Sequence, residues 1–525
     1  MYRCAWALAG LGSVVSAAPL SSRGPAYITH QDRLDGIKAV FQTSWDGYFE
    51  FAFPNDSLQP LTKTFVNDRN GWGASAVDAI STAIIMGNTD VVNIIVEHIK
   101  GLDFTRTVEG GEQLSLFETT IRYLAGMLSA YDFLTGPFAG QVDDESVQAL
   151  LDQATTLADA LSVAFNTPTG IPINDLVFNG PNGPVTTSES TNGIAQIGSL
   201  ILEFTRLSDL TGDDKYANLT LTGEQYLLNI KNPEVGEPYP GLLGTNVNVN
   251  DGTFADGSGG WNGGDDSFYE YLIKMYMYDT ERFASFKDRW TAAVNSSMTF
   301  LASHPTSNTS LTFLAAYNGA GQENLSFSSG HLACFDGGNI ILGGLTLDNQ
   351  DYIDFGLKLV EACHATYIGD ATRIGPEGFS WQDSVVSTTS KNNPAPPADW
   401  ASFYDQNGYW ITSSAYVLRP EVLESYYYAY RATGDSKYQD WSWDAFTAIN
   451  KTCRAGVGYS AITDVNSPNG GSFSNSQESF WFAEVLKYSY LTQAGDAPYQ
   501  VNANHDNQWV YNTESHPFRV AGKPI

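Results

Sequence analysis

Most of the chain consists of stretches in which apolar residues recur every three or four positions, which is the spacing of a helix with one buried face. This pattern extends from about residue 33 to residue 495. Over that range the apolar residues show helical spacing rather than the strict alternation that indicates strands. It predicts helices near residues 74–100, 115–135, 144–165, 193–212, 220–231, 266–280, 284–303, 338–367, 421–433, 436–449 and 478–493. We therefore expect an all-α fold.

The links between the predicted helices are of two kinds. Short joints such as Arg431-Ala-Thr-Gly434 end in glycine and are typical of a tight helix–turn–helix connection. Long links are rich in Gly, Asn, Ser and Pro and have room for short strands or hairpins; they cover residues 166–192, 232–264, 305–332, 370–410 and 454–477. Helix pairs with one short and one long connection favour a ring of helical hairpins that forms a single domain, with the long loops at one end.

The net charge of the chain limits the kinds of molecule that it can bind. The 525 residues include 58 acidic and 27 basic side chains, so the formal net charge is −31. Such a surface repels phosphate backbones and anionic lipid headgroups, which argues against a nucleic-acid or peripheral membrane protein. No exposed apolar stripe is evident in the pattern, so we expect a monomer.

The first 18 residues have the features of a secretory signal peptide, with one basic residue, a short apolar run and small residues before Ala18. A retained membrane anchor is the alternative. Cleavage would leave residues 19–525 as one domain without a membrane segment. Secretion agrees with six Asn-x-Ser/Thr glycosylation motifs, at Asn55, Asn218, Asn295, Asn308, Asn324 and Asn450.

Four cysteines are present, and Cys4 would leave with the signal peptide. Cys334, Cys363 and Cys453 would remain, which allows one disulfide and one free thiol. The residues alone leave that pairing open.

Acidic residues recur at the starts of predicted helices, and the clearest example is Arg419-Pro-Glu-Val-Leu-Glu424. Pro420 suits the first helical position, which would place Glu421 and Glu424 on one face at the positive end of the helix dipole. Similar starts contain Glu118 followed by Arg122, Asp266, and Glu478 with Glu484. Ordinary capping explains each of these alone, because Ser115 with Glu118 and Asn475 with Glu478 have the spacing of capping boxes.

In a ring of helical hairpins, however, alternate helices begin at the same rim, so these acids would converge there. Hydrolysis of a glycosidic bond needs two carboxyl groups, because one protonates the leaving oxygen while the other activates water. Aromatic residues beside the acids, among them Phe480, could stack on sugar rings. No Gly-x-Ser-x-Gly, P-loop or His-Glu-x-x-His motif indicates another chemistry. The residues favour a glycosidase.

Six longer motifs resemble glycoside hydrolase family 47, the class I α-1,2-mannosidases, and in particular its secreted filamentous-fungal members. The resemblance extends in order from about Arg33 to Pro517, through FETTIRYLAG, GDDSFYEYLIK, GHLACFDGG, LRPEVLESYYYAYRATGD, ESFWFAEVLKY and YNTESHPF. It implies an (α/α)7 barrel with a β-hairpin closing one end. It also implies inverting, Ca²⁺-dependent removal of terminal α-1,2-linked mannose from high-mannose N-glycans.

The resemblance assigns three catalytic carboxylates. Glu421 would be the general base, with Arg419 setting its pKa. Glu118 would be the general acid, acting through a water molecule and held by Arg122, and Asp266 is the competing candidate for the acid.

The remaining site residues are likewise implied by the resemblance. Thr513 would bind Ca²⁺ through its carbonyl and hydroxyl oxygens, and a disulfide would join Cys334 to Cys363 and leave Cys453 free. The residues expected to orient calcium-bound water or to contact the sugar are His331, Glu424, Phe480, Glu484 and Glu514.

Two positions depart from the family pattern. Ser81 stands where an Asp is usual, and we expect that change to be structural. Gly264 stands where endoplasmic-reticulum members carry Arg, which predicts a wider opening and broader, Golgi-type trimming. The alternatives are a mannose-binding lectin on the same barrel that has lost hydrolysis, and a calcium-independent barrel glycosidase or lyase.

Overall fold

The computed structural model describes residues 25–108, 113–180, 183–504 and 506–525. The expected signal peptide and Cys4 lie outside these residues. None of the helices in the described part of the chain is both long enough and apolar enough to cross a membrane.

Within the described residues, fourteen helices form two concentric rings of seven. The inner ring contains α2 (Ala74–Met86), α5 (Ala125–Leu134), α8 (Ile201–Thr211), α11 (Asp266–Tyr278), α13 (Phe335–Thr346), α16 (Glu421–Thr433) and α18 (Leu486–Gln493). The outer ring contains α1 (Gln31–Phe51), α3 (Thr89–Lys100), α6 (Asp144–Leu161), α9 (Lys215–Leu228), α12 (Ala284–Ser296), α14 (Gln350–Gly369) and α17 (Ser436–Thr452). Shorter helices are α4 (Leu116–Thr119), α7 (Ile194–Gly198), α10 (Pro233–Gly236) and α15 (Ala401–Asn407).

Contacts between these helices close the ring. Each inner helix packs against the next one along the chain, and the π-helical turn Trp481–Val485 before α18 packs back against α2. Each outer helix packs against an inner neighbour, as α3 does on α2 and α14 on α13. The expected all-α fold, an (α/α)7 barrel, is confirmed.

The position of each helix follows from its sequence. All the residues of α2 are buried, and so are all those of α13, because these apolar helices are covered on every side. On α3, by contrast, burial is restricted to one apolar stripe, namely Val91, Val92, Ile95, Val96 and Ile99. Burying side chains of this size stabilises the fold by about 1.5–3 kcal/mol each.

The strands are short, antiparallel and confined to the loops. They are β1 (Ser57–Gln59), β2 (Thr64–Val66), β3 (Gln113–Ser115), β4 (Asp175–Val177), β5 (Val185–Thr186), β6 (Thr191–Gly193), β7 (Asn246–Asn248), β8 (Ser258–Gly259), β9 (Ala302–Ser303), β10 (Phe313–Leu314), β11 (Ala316–Asn318), β12 (Leu325–Ser326), β13 (Ser328–Gly330), β14 (Gly378–Ser380), β15 (Trp410–Ser413), β16 (Arg454–Ala455), β17 (Gly458–Tyr459), β18 (Trp509–Tyr511) and β19 (Pro517–Arg519). The last two pair as a hairpin that contacts the inner helices α5 and α11. This hairpin carries the turn Asn512–His516 into the barrel.

Several predicted helices are interrupted, such as the one at 193–212, which is α7 followed by α8, and two of them are each a pair of ring helices. The segment predicted at 74–100 breaks at Gly87, which has φ +74°, and the Asn88 side chain then caps α3. The segment predicted at 338–367 breaks at Asp348, and Asn349 caps α14. The prediction omitted α1, in which glycine and small polar residues interrupt the apolar pattern.

Cysteine pairing agrees with the resemblance. A disulfide joins Cys334 to Cys363 and so links the start of α13 to α14. Cys453 is buried and unpaired.

Candidate active site

A cavity of about 680 Å³ opens inside the inner ring, at the end where several helices begin. Its lining is rich in acids and includes every site residue that the resemblance implies except His331. The residues that line it are Arg69, Ser115, Phe117, Glu118, Ile121, Arg122, Gly193, Ala195, Gln196, Thr245, Asn246, Gly263, Gly264, Asp266, Ser267, Glu270, Leu332, Phe335, Val417, Arg419, Pro420, Glu421, Glu424, Glu478, Phe480, Glu484, Thr513 and Glu514.

Helix starts bring three carboxylates to this cavity. Glu118 lies in the first turn of α4, which Ser115 caps by accepting a hydrogen bond from the Glu118 backbone N–H at 3.2 Å. Asp266 is the first residue of α11, directly after the N-cap residue Asp265. Glu421 is the first residue of α16, directly after Pro420. The convergence expected of a ring of hairpins is therefore present.

Glu118 is held by guanidinium groups. The Nε and Nη2 atoms of Arg122 lie 2.9 and 2.8 Å from Glu118 Oε2, and Arg69 Nε lies 3.6 Å from the same oxygen. Arg122 also contacts Glu514 at 2.6 Å and Asp78 at 3.3 Å. Burial opposes the ionisation of Glu118, but the two arginines outweigh it and lower its pKa.

Asp266 has the opposite environment. Its Oδ1 accepts a hydrogen bond from the Ser267 backbone N–H at 2.8 Å, while its charged neighbours are mainly Glu270 and Glu421. Burial raises the pKa of Asp266 to about 7, and the two carboxylates add to that rise. Asp266 is therefore partly protonated near neutral pH and can donate a proton.

Glu421 is ionised and is held from behind the cavity wall. Its Oε2 lies 2.7 Å from Nδ1 of His331, which is buried. Burial opposes the ionisation of Glu421, but His331, through its hydrogen bond and through its charge when protonated, and the Arg419 guanidinium outweigh it and lower its pKa. Arg419 lies 3.8 Å from Glu421 and pairs more closely with Glu377, at 2.8 Å.

The turn Asn512–His516 forms the floor of the cavity. The Nζ atoms of Lys274 and Lys487 donate to the carbonyl oxygens of Asn512 and Ser515. The Asn512 side chain donates to Glu203 at 2.9 Å. These buried contacts fix Thr513 at the floor. Within the described residues, neither the hydroxyl nor the carbonyl oxygen of Thr513 takes part in a hydrogen bond; only its N–H does, to Tyr271.

Three further carboxylates line the same cavity as Thr513, namely Glu424, Glu484 and Glu514. Burial raises the pKa of Glu424 and of Glu514 to about 8, and that of Glu484 well above its usual range. No group of three or more His, Cys, Asp or Glu side chains in the described ranges is arranged to bind a metal ion directly.

π-Helical turns place two of these side chains. Arg122 lies in the turn Thr120–Leu124 between α4 and α5, and Glu484 lies in the turn Trp481–Val485 before α18. An extra residue in a helical turn rotates the following side chains relative to a regular helix.

Several predicted contacts differ in detail. His331 does not line the cavity and contacts Glu421 from behind. Phe480 lines it, with the Arg122 guanidinium 5.7 Å from the ring centre. The capping box predicted at Asn475 and Glu478 was wrong: Asn475 has φ +58° and accepts from the Leu61 N–H, and the helical turn starts later.

Four functional neighbours escaped the sequence analysis, namely Asp78, Glu270, Tyr367 and Glu377. Glu270 follows Asp266 by one helical turn, so its spacing could have revealed it. Glu377 reaches Arg419 from a loop, and no sequence signal links the two.

The two departures from the family pattern have distinct surroundings. Ser81 is buried, and its hydroxyl lies 2.9 Å from Nδ1 of His516, behind the cavity floor. Gly264 lines the cavity with φ +102°. Because non-glycine residues rarely adopt that φ, an arginine there would strain this backbone.

Comparisons with known proteins agree with this geometry. Residues 40–520 match the sequence profile of glycosyl hydrolase family 47. A mannosyl-oligosaccharide alpha-1,2-mannosidase of Penicillium citrinum is 52% identical over 94% of this chain and 93% of its own. Mannosyl-oligosaccharide alpha-1,2-mannosidase 1B of Aspergillus phoenicis is also 52% identical, over 94% of this chain and 92% of its own.

A solved structure gives the same result. The alpha-1,2-mannosidase from Trichoderma reesei superposes with a TM-score of 0.90 at 51% identity and covers 95% of this chain and 100% of its own. The family profile, the relatives and the barrel agree over nearly the whole chain. The chain therefore belongs to glycosyl hydrolase family 47 and is a glycoside hydrolase.

Proposed function

We propose that this enzyme is an inverting α-1,2-mannosidase that removes terminal α-1,2-linked mannose from high-mannose N-glycans. The observation that carries the proposal is the cavity, in which Glu421 and Asp266 begin two helices and their pKa values are shifted in opposite directions, down for Glu421 and up for Asp266. One cavity thus offers a base and an acid, as hydrolysis of a glycosidic bond requires. The names of the fungal relatives supply the sugar and the linkage.

In this mechanism Glu421 accepts a proton from the water that attacks the anomeric carbon. A protonated carboxyl donates its proton to the oxygen of the leaving sugar as the glycosidic bond breaks. The pKa values favour Asp266 as that donor over Glu118, because the two arginines keep Glu118 ionised. Glu118 would then accept hydrogen bonds from water or from the leaving sugar.

We propose Ca²⁺ as the cofactor. Thr513 offers two oxygen atoms without other hydrogen bonds among the described residues, in a cavity that carboxylates also line, and Ca²⁺ prefers oxygen ligands. Thr513 would hold the ion directly, while Glu424, Glu484 and Glu514 would hold its water ligands. When bound, the ion supplies positive charge that fixes the hydroxyl groups of the terminal sugar.

A thermal test separates calcium binding from activity. We expect Ca²⁺ to raise the Tm of the EDTA-treated protein, because the ion binds the folded state alone. Thr513→Val, which keeps the shape but removes the hydroxyl, should lose most of this rise. An unchanged Ca²⁺ response in that variant would contradict the role of Thr513.

The activity test uses an α-1,2-linked mannose disaccharide, with and without EDTA. Release of mannose with inversion at the anomeric carbon, read by NMR, is the expected result. Binding without release would instead support the lectin alternative. Retention of configuration would refute the mechanism, and full activity in EDTA would refute the cofactor.

We also propose broad, Golgi-type trimming of several branches, because Gly264 leaves that wall of the cavity open. The test compares two arginine substitutions, since Gly263 also lines the cavity but has an ordinary φ. A side chain added at Gly263 would meet only Leu332 Cδ1, at 3.9 Å. We expect Gly263→Arg to restrict the products from a high-mannose glycan without loss of Tm, whereas Gly264→Arg should also lower the Tm. An unchanged product pattern in both variants would contradict the proposal.

Finally, we propose that the protein is a secreted, glycosylated monomer. The six glycosylation motifs support export, and the side chains of Asn218 and Asn295 are exposed. Expression in a fungal host should give mature protein in the medium, with an N-terminus near residue 19. Size-exclusion chromatography with light scattering would test the monomer, and protein that stays in the membrane fraction would refute secretion.

A further inference from the structure

His331 connects the proposed base to a tyrosine that does not line the cavity. Its Nδ1 lies 2.7 Å from Glu421 Oε2, and its Nε2 lies 2.7 Å from the hydroxyl oxygen of Tyr367. Tyr367 lies in the last turns of α14, in the outer ring, and is 2% exposed. These three side chains form one buried line that leads from the cavity wall into the outer ring.

Hydrogen-bond capacities determine how the protons are placed along this line. As the base, Glu421 acts in its ionised form, which only accepts hydrogen bonds, so Nδ1 of His331, 2.7 Å away, must carry a hydrogen. Tyr367 keeps its proton, because burial raises its pKa well above the usual value. Its hydroxyl therefore donates to Nε2, and both contacts are satisfied when the imidazole is neutral.

A charged imidazolium would break this arrangement. Nε2 would then donate to the Tyr367 oxygen, and the phenolic proton would need another acceptor. Within the described residues, the hydroxyl of Tyr367 has no hydrogen-bond partner besides His331. A buried donor left without a partner is strongly unfavourable, so Tyr367 favours the neutral imidazole.

The neutral form has a consequence for catalysis. An imidazolium next to Glu421 would form an ion pair with it and reduce its tendency to take a proton from water. A neutral imidazole orients the same carboxylate without adding a second positive charge to that of Arg419. We propose that Tyr367 is a positioning residue, which holds His331 in its neutral, Nδ1-protonated form and so preserves the basicity of Glu421. The proposal rests on the proposed role of Glu421 as the base.

Other groups near this line do not replace Tyr367. Those that face Glu421 are Arg419 and Glu424 from its own segment, Asp266 from α11, Glu484 from the π-helical turn and Glu377 beyond Arg419. Tyr416 lies beside the His331 ring, with 5.5 Å between ring centres, but its hydroxyl donates to the Arg419 carbonyl. Tyr426 and Cys453 face Tyr367 and are neutral, because burial raises the pKa of each.

The test removes one hydroxyl. Tyr367→Phe keeps the ring and deletes the donor to Nε2. The matched control is Tyr409→Phe, since Tyr409 is equally buried but donates to the Thr366 carbonyl and does not contact His331. The seven histidines are labelled with ¹⁵N, and the His331 signals are identified by their loss in His331→Gln. Circular dichroism verifies that each variant is folded.

In wild type we expect ¹⁵N shifts of a neutral ring with hydrogen on Nδ1. In Tyr367→Phe the midpoint for proton uptake by His331 should move up by about one pH unit, the equivalent of one hydrogen bond. The kcat on the disaccharide should fall about tenfold, KM should change less than twofold, and the acidic limb of the pH profile should move to lower pH. Tyr409→Phe should match wild type.

The NMR spectra are recorded without substrate, so they test the role of Tyr367 independently of whether the enzyme releases mannose. A midpoint that stays constant or moves down in Tyr367→Phe would overturn the proposal. If that variant does not fold, neutron diffraction on wild-type crystals decides. A deuteron on Nδ1 alone supports the proposal, and a deuteron on Nε2 overturns it. Lack of mannose release by wild type would instead refute the proposed function.

Discussion

Glu118 and Asp266 differ sharply although their sequence positions are alike. Both lie in the first turn of a helix at the same end of the barrel, and both line the same cavity. Two arginines lower the pKa of Glu118, whereas burial among other carboxylates raises that of Asp266 to about 7. Near neutral pH, Glu118 is therefore a charged acceptor, while Asp266 can still donate a proton.

The difference shows that a sequence motif determines where an acid lies in the fold, while residues far away along the chain determine its protonation. Arg122 follows Glu118 by four residues, but Arg69 comes from a loop before α2. The neighbours of Asp266 include Glu421, which is 155 residues away along the chain (421 − 266). Helix-dipole effects favour ionisation at both starts and are worth about 0.3–1 kcal/mol, so these neighbours outweigh them.

The largest change should come from removing the cation on the Glu118 side. Arg122→Met leaves Glu118, Glu514 and Asp78 without their shared partner. Because a buried charge without its partner is costly, we expect a loss of about 3–5 kcal/mol in the free energy of unfolding, together with loss of activity. Urea denaturation at pH 7 measures it.

A matched control for Arg122 is Arg282, which also contacts two acids but is 40% exposed. Arg282→Met should cost less than about 1 kcal/mol. Equal losses in the two variants would mean that the cluster around Arg122 behaves as an ordinary surface ion pair.

The next effect concerns the pH profile. If Asp266 is the acid, activity falls as pH rises through about 7, because the proton to be donated is lost. Asp266→Asn should reduce kcat on the disaccharide by about 10²–10⁴ and remove the alkaline limb. The acidic limb, which reports the protonation of Glu421, should remain. Persistence of the alkaline limb in Asp266→Asn would assign it to another group.

The smallest effect comes from a buried acid without a catalytic role. Glu224 on α9 is buried, its two oxygens have no hydrogen-bond partner in the described parts of the chain, and burial raises its pKa to about 8. The folded protein holds this proton more tightly than the unfolded chain does, so Glu224 destabilises the fold increasingly as pH rises from about 4.5 to about 8.

Replacing Glu224 by Leu should therefore raise the Tm more at pH 8 than at pH 4.5 and leave kcat unchanged. Exposed Glu234 is the control, and Glu234→Leu should show no such pH dependence. A pH-independent result at Glu224 would mean that burial alone does not raise a carboxyl pKa in this barrel.

Much of the fold could be predicted because the helices are long and periodic. The boundaries at Gly87 and Asp348 could not, since apolar residues recur at helical spacing on both sides of each break. The inner and outer rings were also not separable from periodicity, because helices such as α2 are buried on all faces.

The site was predictable to the extent that its residues lie in contiguous motifs. Glu118, Asp266 and Glu421 each stand at a recognisable helix start. Glu377 and Tyr367 were missed because they reach the site from a loop and from the outer ring, and only the closed barrel brings them there.

The most direct test of whether Asp266 or Glu118 is the general acid uses a leaving group that departs without being protonated. Asp266→Asn and Glu118→Gln are compared on the α-1,2-linked disaccharide and on α-mannosyl fluoride, and kcat/KM is measured for each. We expect Asp266→Asn to lose about 10²–10⁴ on the disaccharide but less than about tenfold on the fluoride, which departs without a proton. Glu118→Gln should lose similar factors on both substrates. The reverse pattern, with fluoride rescuing Glu118→Gln and not Asp266→Asn, would contradict the account.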